Sequence, residues 1–100
     1  MKMKLDRVSR GRVTIPNSAT RQYDDSDGVF YAFYPKNGKY LRVSSNEPEI
    51  NRIDSKRPMG VYMMDNHDNI RITGTVLDAM TRNKSLTLQC ESGHMTLKPQ

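Results

Sequence analysis

The chain has 100 residues, a formal net charge of +5 and a single cysteine, Cys90. This length allows one domain, which would bury roughly 60–70% of the surface that the unfolded chain exposes. The lone cysteine excludes an intrachain disulfide, and no apolar run approaches the roughly 18 residues of a membrane span. The basic start Met1–Lys4 is not followed by the apolar stretch of a secretory signal, so we expect a cytoplasmic protein with no membrane contact.

The first half of the chain carries the patterns of strands joined by turns. Arg12–Ile15 alternates polar and apolar residues, as in a half-buried strand. A short helix is predicted over Asn17–Tyr23, and Val29–Tyr34 is apolar on both faces, which is typical of a strand covered on both sides. The turn Pro35–Gly38 then leads to a returning strand at Tyr40–Val43, which makes a hairpin.

The second half begins with a polar linker that holds at most one short strand, around Ile50–Ile53. Strands are predicted at Val61–Met64 and at Ile70–Ile72, where apolar residues again alternate with polar ones. A short helix is predicted over Thr75–Arg82. The segment Leu86–Leu97 has the pattern of a closing hairpin, turning at Ser-Gly.

The two halves follow one order of elements: strand, turn, strand, short helix and hairpin. Sliding Arg12–Pro16 onto Asn69–Thr73 aligns the apolar positions. A repeated unit that is too small to bury its own apolar face must pair with its twin. We therefore predict a mostly β fold, a small barrel-like domain of swapped-hairpin or double-psi-like type. It spans residues 1–100, with quasi-repeats at 1–45 and 60–98 and a linker at 46–59. Chance similarity between two short β units is the alternative.

Basic residues are concentrated at the start of the sequence. The first twelve residues contain one acid, Asp6, and five cations: Lys2, Lys4, Arg7, Arg10 and Arg12. Such a local excess makes a positive patch if the segment folds onto one face, and a solvated basic terminus is the alternative.

The segment Lys4–Pro16 resembles the N-terminal hairpin of the AbrB/MazE swapped-hairpin DNA-binding family. Its string Gly11–Pro16, reading Gly-Arg-Val-Thr-Ile-Pro, matches the family pattern, and Val29–Val43 matches the closing hairpin in type. The resemblance covers about residues 1–45 and, weakly, a degenerate copy from about 60 to 98. It implies a domain-swapped dimer that contacts DNA through basic residues, which by position are Lys4, Arg7, Arg10, Arg12 and Arg21.

The sequence also departs from the family pattern. The segment Asn17–Gln22 is polar where the family has a stronger amphipathic helix, and the second copy has the acidic turn Asp65–Asn69 in place of Gly-Arg. If both copies close on each other within one chain, only one end of the fold would be basic.

Arginines on a two-stranded ribbon can reach phosphates and the O6/N7 edge of guanine. We therefore predict a homodimeric transcriptional regulator that binds double-stranded DNA. The alternative is a small protein-binding inhibitor or adaptor, such as a phage effector or an antitoxin-like protein, with the same fold. We expect neither enzymatic activity nor a cofactor, since the sequence has no Gly-x-Ser-x-Gly elbow and no Gly-rich phosphate loop.

Potential metal ligands are present, but they lack the spacing of a metal site. The candidates considered are Asp65, His67, Asp68, Cys90 and His94. No pair has the spacing of a zinc knuckle, so we expect a core cysteine and surface histidines. The segment Asp24–Gly28 has no bidentate Glu at the distance that a calcium loop requires, and it is predicted to be a capped turn.

Overall fold

A computed structural model describes residues 1–25 and 27–100; Ser26, in the predicted turn, lies outside the described residues. The strands are β1 Lys2–Asp6, β2 Val13–Ile15, β3 Val29–Phe33, β4 Leu41–Ser44, β5 Gly60–Met63, β6 Ile70–Ile72, β7 Ser85–Cys90 and β8 Met95–Pro99. The helices are α1 Asn17–Thr20 and α2 Gly74–Asp78. The prediction of a mostly β fold is confirmed.

The strands described here form two antiparallel sheets. The larger has six strands in the order β1-β7-β8-β4-β3-β5, and the smaller is the pair β2-β6. β1 pairs only with β7 and β5 only with β3, so the larger sheet has two open edges. The strands therefore do not close into one barrel, and that part of the sequence prediction is corrected.

The two halves of the chain interleave. The opening strand of each half pairs with the closing hairpin of the other half: β1 with β7, and β5 with β3. The strand order is unchanged when each strand is replaced by its counterpart, β1 by β5, β3 by β7 and β4 by β8. The middle pair of β2 and β6 is Thr14 with Arg71, and the middle pair of β4 and β8 is Arg42 with Thr96. The two halves are related to each other about these pairs. The pairing thus has an internal two-fold symmetry.

The core lies between the two sheets. Its fully buried aliphatic residues include Val13, Ile15, Ile70 and Ile72 of the small sheet, which face buried leucines of the large one. Each such side chain contributes about 1.5–3 kcal/mol through burial. Tyr34 is also fully buried, and its hydroxyl donates to the Val76 carbonyl. Burial raises the pKa of Tyr34 to about 12.

Both helices are shorter than predicted. α1 ends at Thr20 rather than at Tyr23, and α2 ends at Asp78 rather than at Arg82. Helices of about one turn are not stable alone, and these two are held by the burial of Ala19 and Leu77 in the core. No helix in residues 1–25 and 27–100 is long and apolar enough to cross a membrane.

Residues 46–59, predicted to be a linker with at most one short strand around Ile50–Ile53, contain no strand. Ile50–Arg52 forms a short 3-10 turn, and Ile53 makes an isolated bridge to Pro35. Ile50 is 88% exposed, so the segment has no apolar face that a strand would bury.

Candidate nucleic-acid interface

The predicted basic hairpin is not a two-stranded ribbon. β1 and β2 belong to different sheets, because each pairs with a strand of the other half. Only the loop between them closes locally, where the N–H of Val8 donates to the carbonyl of Arg12 at 2.8 Å. The five predicted cations are consequently distributed over several surfaces.

Arg7 is buried by the loop that follows β1. Its side chain is 9% exposed; one terminal nitrogen donates to the Asp78 carboxylate and the other to the Thr81 carbonyl. Its Nε is buried without a hydrogen-bond partner. Arg7 therefore ties the start of the loop to the end of α2, and its side chain is largely withdrawn from the surface.

Lys4 lies on the outer face of the six-stranded sheet. It is exposed and 4.0 Å from Asp6. Across the sheet it pairs with Thr87, which pairs in turn with Lys98. Lys98 donates to the Gln89 side chain at 2.9 Å. Lys4 is thus on a polar sheet surface that is separate from β2 and β6.

Arg10 and Arg12 are presented by the tight loop before β2. Arg10 has a left-handed backbone, with φ of 64°, and its side chain is exposed. The loop lies on the first residue of α2, since a Cβ at Gly74 would overlap the Arg10 carbonyl oxygen. Arg12 is half-buried, and its Nε donates to the Ser9 carbonyl at 3.3 Å. The loop therefore fixes the backbone from which both arginines extend.

The sequence analysis missed Arg71, which lies at the middle of the small sheet. Arg71 pairs with Thr14, and its side chain is 62% exposed and 3.6 Å from Asp65. Arg12 is two residues before Thr14 and extended, so it lies on the same face, diagonally adjacent to Arg71. We call the set Arg10, Arg12 and Arg71 the ladder patch. The alignment of the two halves matches Thr14 with Arg71, and this match is the sequence feature that could have indicated Arg71.

Arg21 lies at the opposite end of the small sheet. It follows α1, and its Nε is 3.2 Å from the Asp68 carboxylate. The loop that contains Asp68 also contains Asp65, whose pKa is lowered by N–H donors from Asn69 and His67. At this end of the small sheet the loop is acidic, and Asp68 neutralises Arg21. The small sheet is therefore basic only at the end that carries the ladder patch.

The potential metal ligands are dispersed. Among the described residues, no three His, Cys, Asp or Glu side chains come together as a metal site requires. Cys90 is half-buried and packs against the core, as predicted. His94 is 2.7 Å from the Glu91 carboxylate.

A shallow groove of about 580 Å³ lies elsewhere, between the linker and the outer face of β3 and β4. Its charged lining includes both signs: Lys36, Arg42 and Arg52 with Glu47 and Glu49. It includes none of the five predicted DNA-binding residues.

No protein-family model matches the chain, and no curated protein is significantly similar to it in sequence. The resemblance to a DNA-binding family therefore rests on the short string Gly11–Pro16 and on the order of the elements. What the protein binds has to be argued from its own surfaces.

Proposed function

We propose that this protein binds double-stranded DNA through the ladder patch and acts as a transcriptional regulator. The observation that carries the proposal is the pairing of Thr14 with Arg71, because an extended Arg12 two residues before Thr14 would then lie diagonally across from Arg71. Arg10 extends the same basic surface from the adjoining loop. A polyanion would meet all three arginines on this surface, with its phosphates competing with the Asp65 carboxylate for Arg71.

The chemistry of these side chains suits DNA. A guanidinium group has a planar fork of donors that can bind a phosphate or the O6/N7 edge of guanine with two hydrogen bonds. Thr14 is a small residue between the arginines, so it leaves room for a nucleic-acid backbone. A loop held against α2 also lowers the entropy that Arg10 would lose on binding.

The swapped-hairpin character of the fold belongs to the same proposal. Interleaving of the two halves is what a domain-swapped pair of units would show if both units lay on one chain. The loop at the other end of the small sheet contains Asp65 and Asp68, so each chain would offer DNA one basic end.

The salt dependence of binding to a labelled duplex tests the proposal. If the three arginines neutralise about three phosphates, log K should fall against log salt with a slope of about −2.7. Arg12→Ala and Arg71→Ala should each reduce that slope by about 0.9. If Arg12 instead reads a guanine, Arg12→Ala should cost about 1–3 kcal/mol at the preferred site and little on random DNA.

The matched control is Arg52→Ala. Arg52 is an exposed arginine paired with Glu49 in the linker, away from the ladder patch, so the slope should not change. Lys98 is not a neutral control, because it lies two strands from Lys4. A slope that depends on Lys4 and Lys98 but not on Arg12 and Arg71 would contradict the ladder patch. Absence of duplex binding at low salt would favour the protein-binding alternative.

A further inference from the structure

The edge strand β5 exposes an apolar surface. Met59, just before it, is 43% exposed, and Val61 and Met63 within it are 58% and 72% exposed. Val61 pairs with Tyr31 and Met63 with Val29, and both of these β3 residues are only half-buried. The apolar surface thus extends from the edge of the large sheet onto the neighbouring strand.

The backbone of β5 is also open along its outer side. Just beyond the strand, the N–H of Met64 donates to Gly28 at 2.9 Å. Because hydrogen bonding alternates along an antiparallel strand, Val61 and Met63 direct their N–H and C=O groups away from β3. Pro58, which has no N–H, falls among the residues that face β3. The free edge can therefore accept another strand.

The other edge of the sheet is protected. The alignment of the two halves matches the three exposed apolar residues of β5 and its flank with Lys2, Lys4 and Asp6 of β1. Charged side chains on an edge strand disfavour pairing with another chain, whereas an apolar edge promotes it. The chain thus blocks one of two equivalent edges and leaves the other suited to pairing.

We infer that β5 is the interface for a second copy of this chain. The two β5 strands would pair antiparallel about a two-fold axis at Val61, with Met59 of each copy opposite Met63 of the other. The two six-stranded sheets would join into one continuous sheet. The two-fold axis makes the interface symmetric, so the same apolar residues are buried in both copies.

Charge favours a second copy of the chain as the occupant. Lys56 is exposed before the start of β5; beyond its end lie the exposed Asp27 and the half-buried Asp65, which is 3.6 Å from Arg71 of the same copy. Antiparallel self-pairing brings the basic end of each copy to the acidic end of the other, at both ends of the interface. The same arrangement at β1 would place Lys4 against its own copy, which is repulsive. The interface is small, so the dimer should be reversible.

Sedimentation over a range of concentrations tests the interface. Wild type should pass from monomer to dimer as concentration rises, and Val61→Lys should remain a monomer at every concentration. Val61→Lys gives β5 the charge that β1 has at Lys4. Because the side chain at this position faces outward, the variant should keep its fold and its circular dichroism spectrum. Lys4→Ala on the other edge is the matched control and should dimerise like wild type.

Cross-linking tests the register independently. In a Cys90→Ser background, Val61→Cys should form an interchain disulfide on oxidation, since facing residues across a hydrogen-bonded pair lie about 5.5 Å apart at Cα. Met63→Cys alone should not, because Met63 faces Met59. Equal cross-linking of both variants, or a wild type that is monomeric throughout, would overturn the proposal. A monomer that binds a strand of a different protein would also overturn it.

Discussion

The loops that join β1 to β2 and β5 to β6 share a closing hydrogen bond and a positive φ at the fourth residue, but they differ in charge and at the third residue, where Arg10 has a positive φ and His67 does not. In each, the first N–H donates to the fifth carbonyl, at 2.8 Å in Val8–Arg12 and at 2.9 Å in Asp65–Asn69. In each, the fourth residue has a positive φ, 74° at Gly11 and 64° at Asp68. One loop is basic and the other acidic. The position of a loop in the fold therefore sets how the loop closes, and its side chains remain free to define what it binds.

The two loops are held in place by different interactions at equivalent points. The carbonyl of Arg10 lies directly over Gly74, the first residue of α2. The equivalent carbonyl of His67 accepts a hydrogen bond at 3.0 Å from the side chain of Asn17, the first residue of α1. At these equivalent points, the basic loop makes a close packing contact and the acidic loop accepts a side-chain hydrogen bond.

Breaking the packing contact should have the largest effect. Gly74→Ala places a methyl group against the Arg10 carbonyl, and overpacking of this kind costs about 1–3 kcal/mol. Urea denaturation should show the loss, and DNA affinity should fall as Arg10 is displaced. Thr75→Ala, at the next and exposed position, is the control and should change stability by less than about 0.5 kcal/mol. Equal losses for the two variants would show that the contact is not specific.

Breaking the hydrogen bond at the other loop should cost less. Asn17→Ala removes the donor to His67, but that carbonyl is near solvent and can bind water instead. A loss of about 0.5–1.5 kcal/mol is expected in the same denaturation assay. Ser18→Ala, exposed in the same helix, should be nearly neutral. DNA binding should be unchanged, since the variant keeps the three arginines of the ladder patch and the Asp65 carboxylate beside Arg71.

The pH dependence of stability should show the smallest difference between the two loops. Hydrogen bonds from Asn69 and His67 lower the pKa of Asp65, and Val8 at the equivalent place does not titrate. A lowered folded-state pKa adds stability above the unfolded-state pKa, and this stability is lost as pH falls through the folded value. Asp65→Asn should therefore make stability less sensitive to acid. Some sensitivity should remain, because the pKa values of Asp54 and Glu91 are lowered too. A variant as acid-sensitive as wild type would contradict this.

The strands were predictable from the local pattern of apolar residues, but their partners were not. Val13–Ile15 and Val29–Phe33 follow the predicted segments closely. A local pattern shows which face of a strand is buried, and it does not say which strand lies beside it. The segment Lys4–Ile15 was therefore predicted as a hairpin, although β1 and β2 each pair with the other half.

The candidate site was predictable only in part, for the same reason. Local charge identified Arg10 and Arg12, whose loop is formed by adjacent residues. It could not show that Arg7 is buried, since its partner Asp78 is 71 residues away. Nor did it indicate Arg71, which follows an acidic turn and becomes part of a basic surface only when β2 pairs with β6.

The interleaved pairing also affects how the protein is made. Lys2 pairs with Gln89, so β1 leaves the ribosome long before its partner β7 has been synthesised. Contacts of such high sequence separation slow folding, because a long loop must close before they form. During that interval β1 is an unpaired strand in a nascent chain. The charges of Lys2, Lys4 and Asp6, which alternate along the strand, then limit aggregation until the second half of the chain has been synthesised.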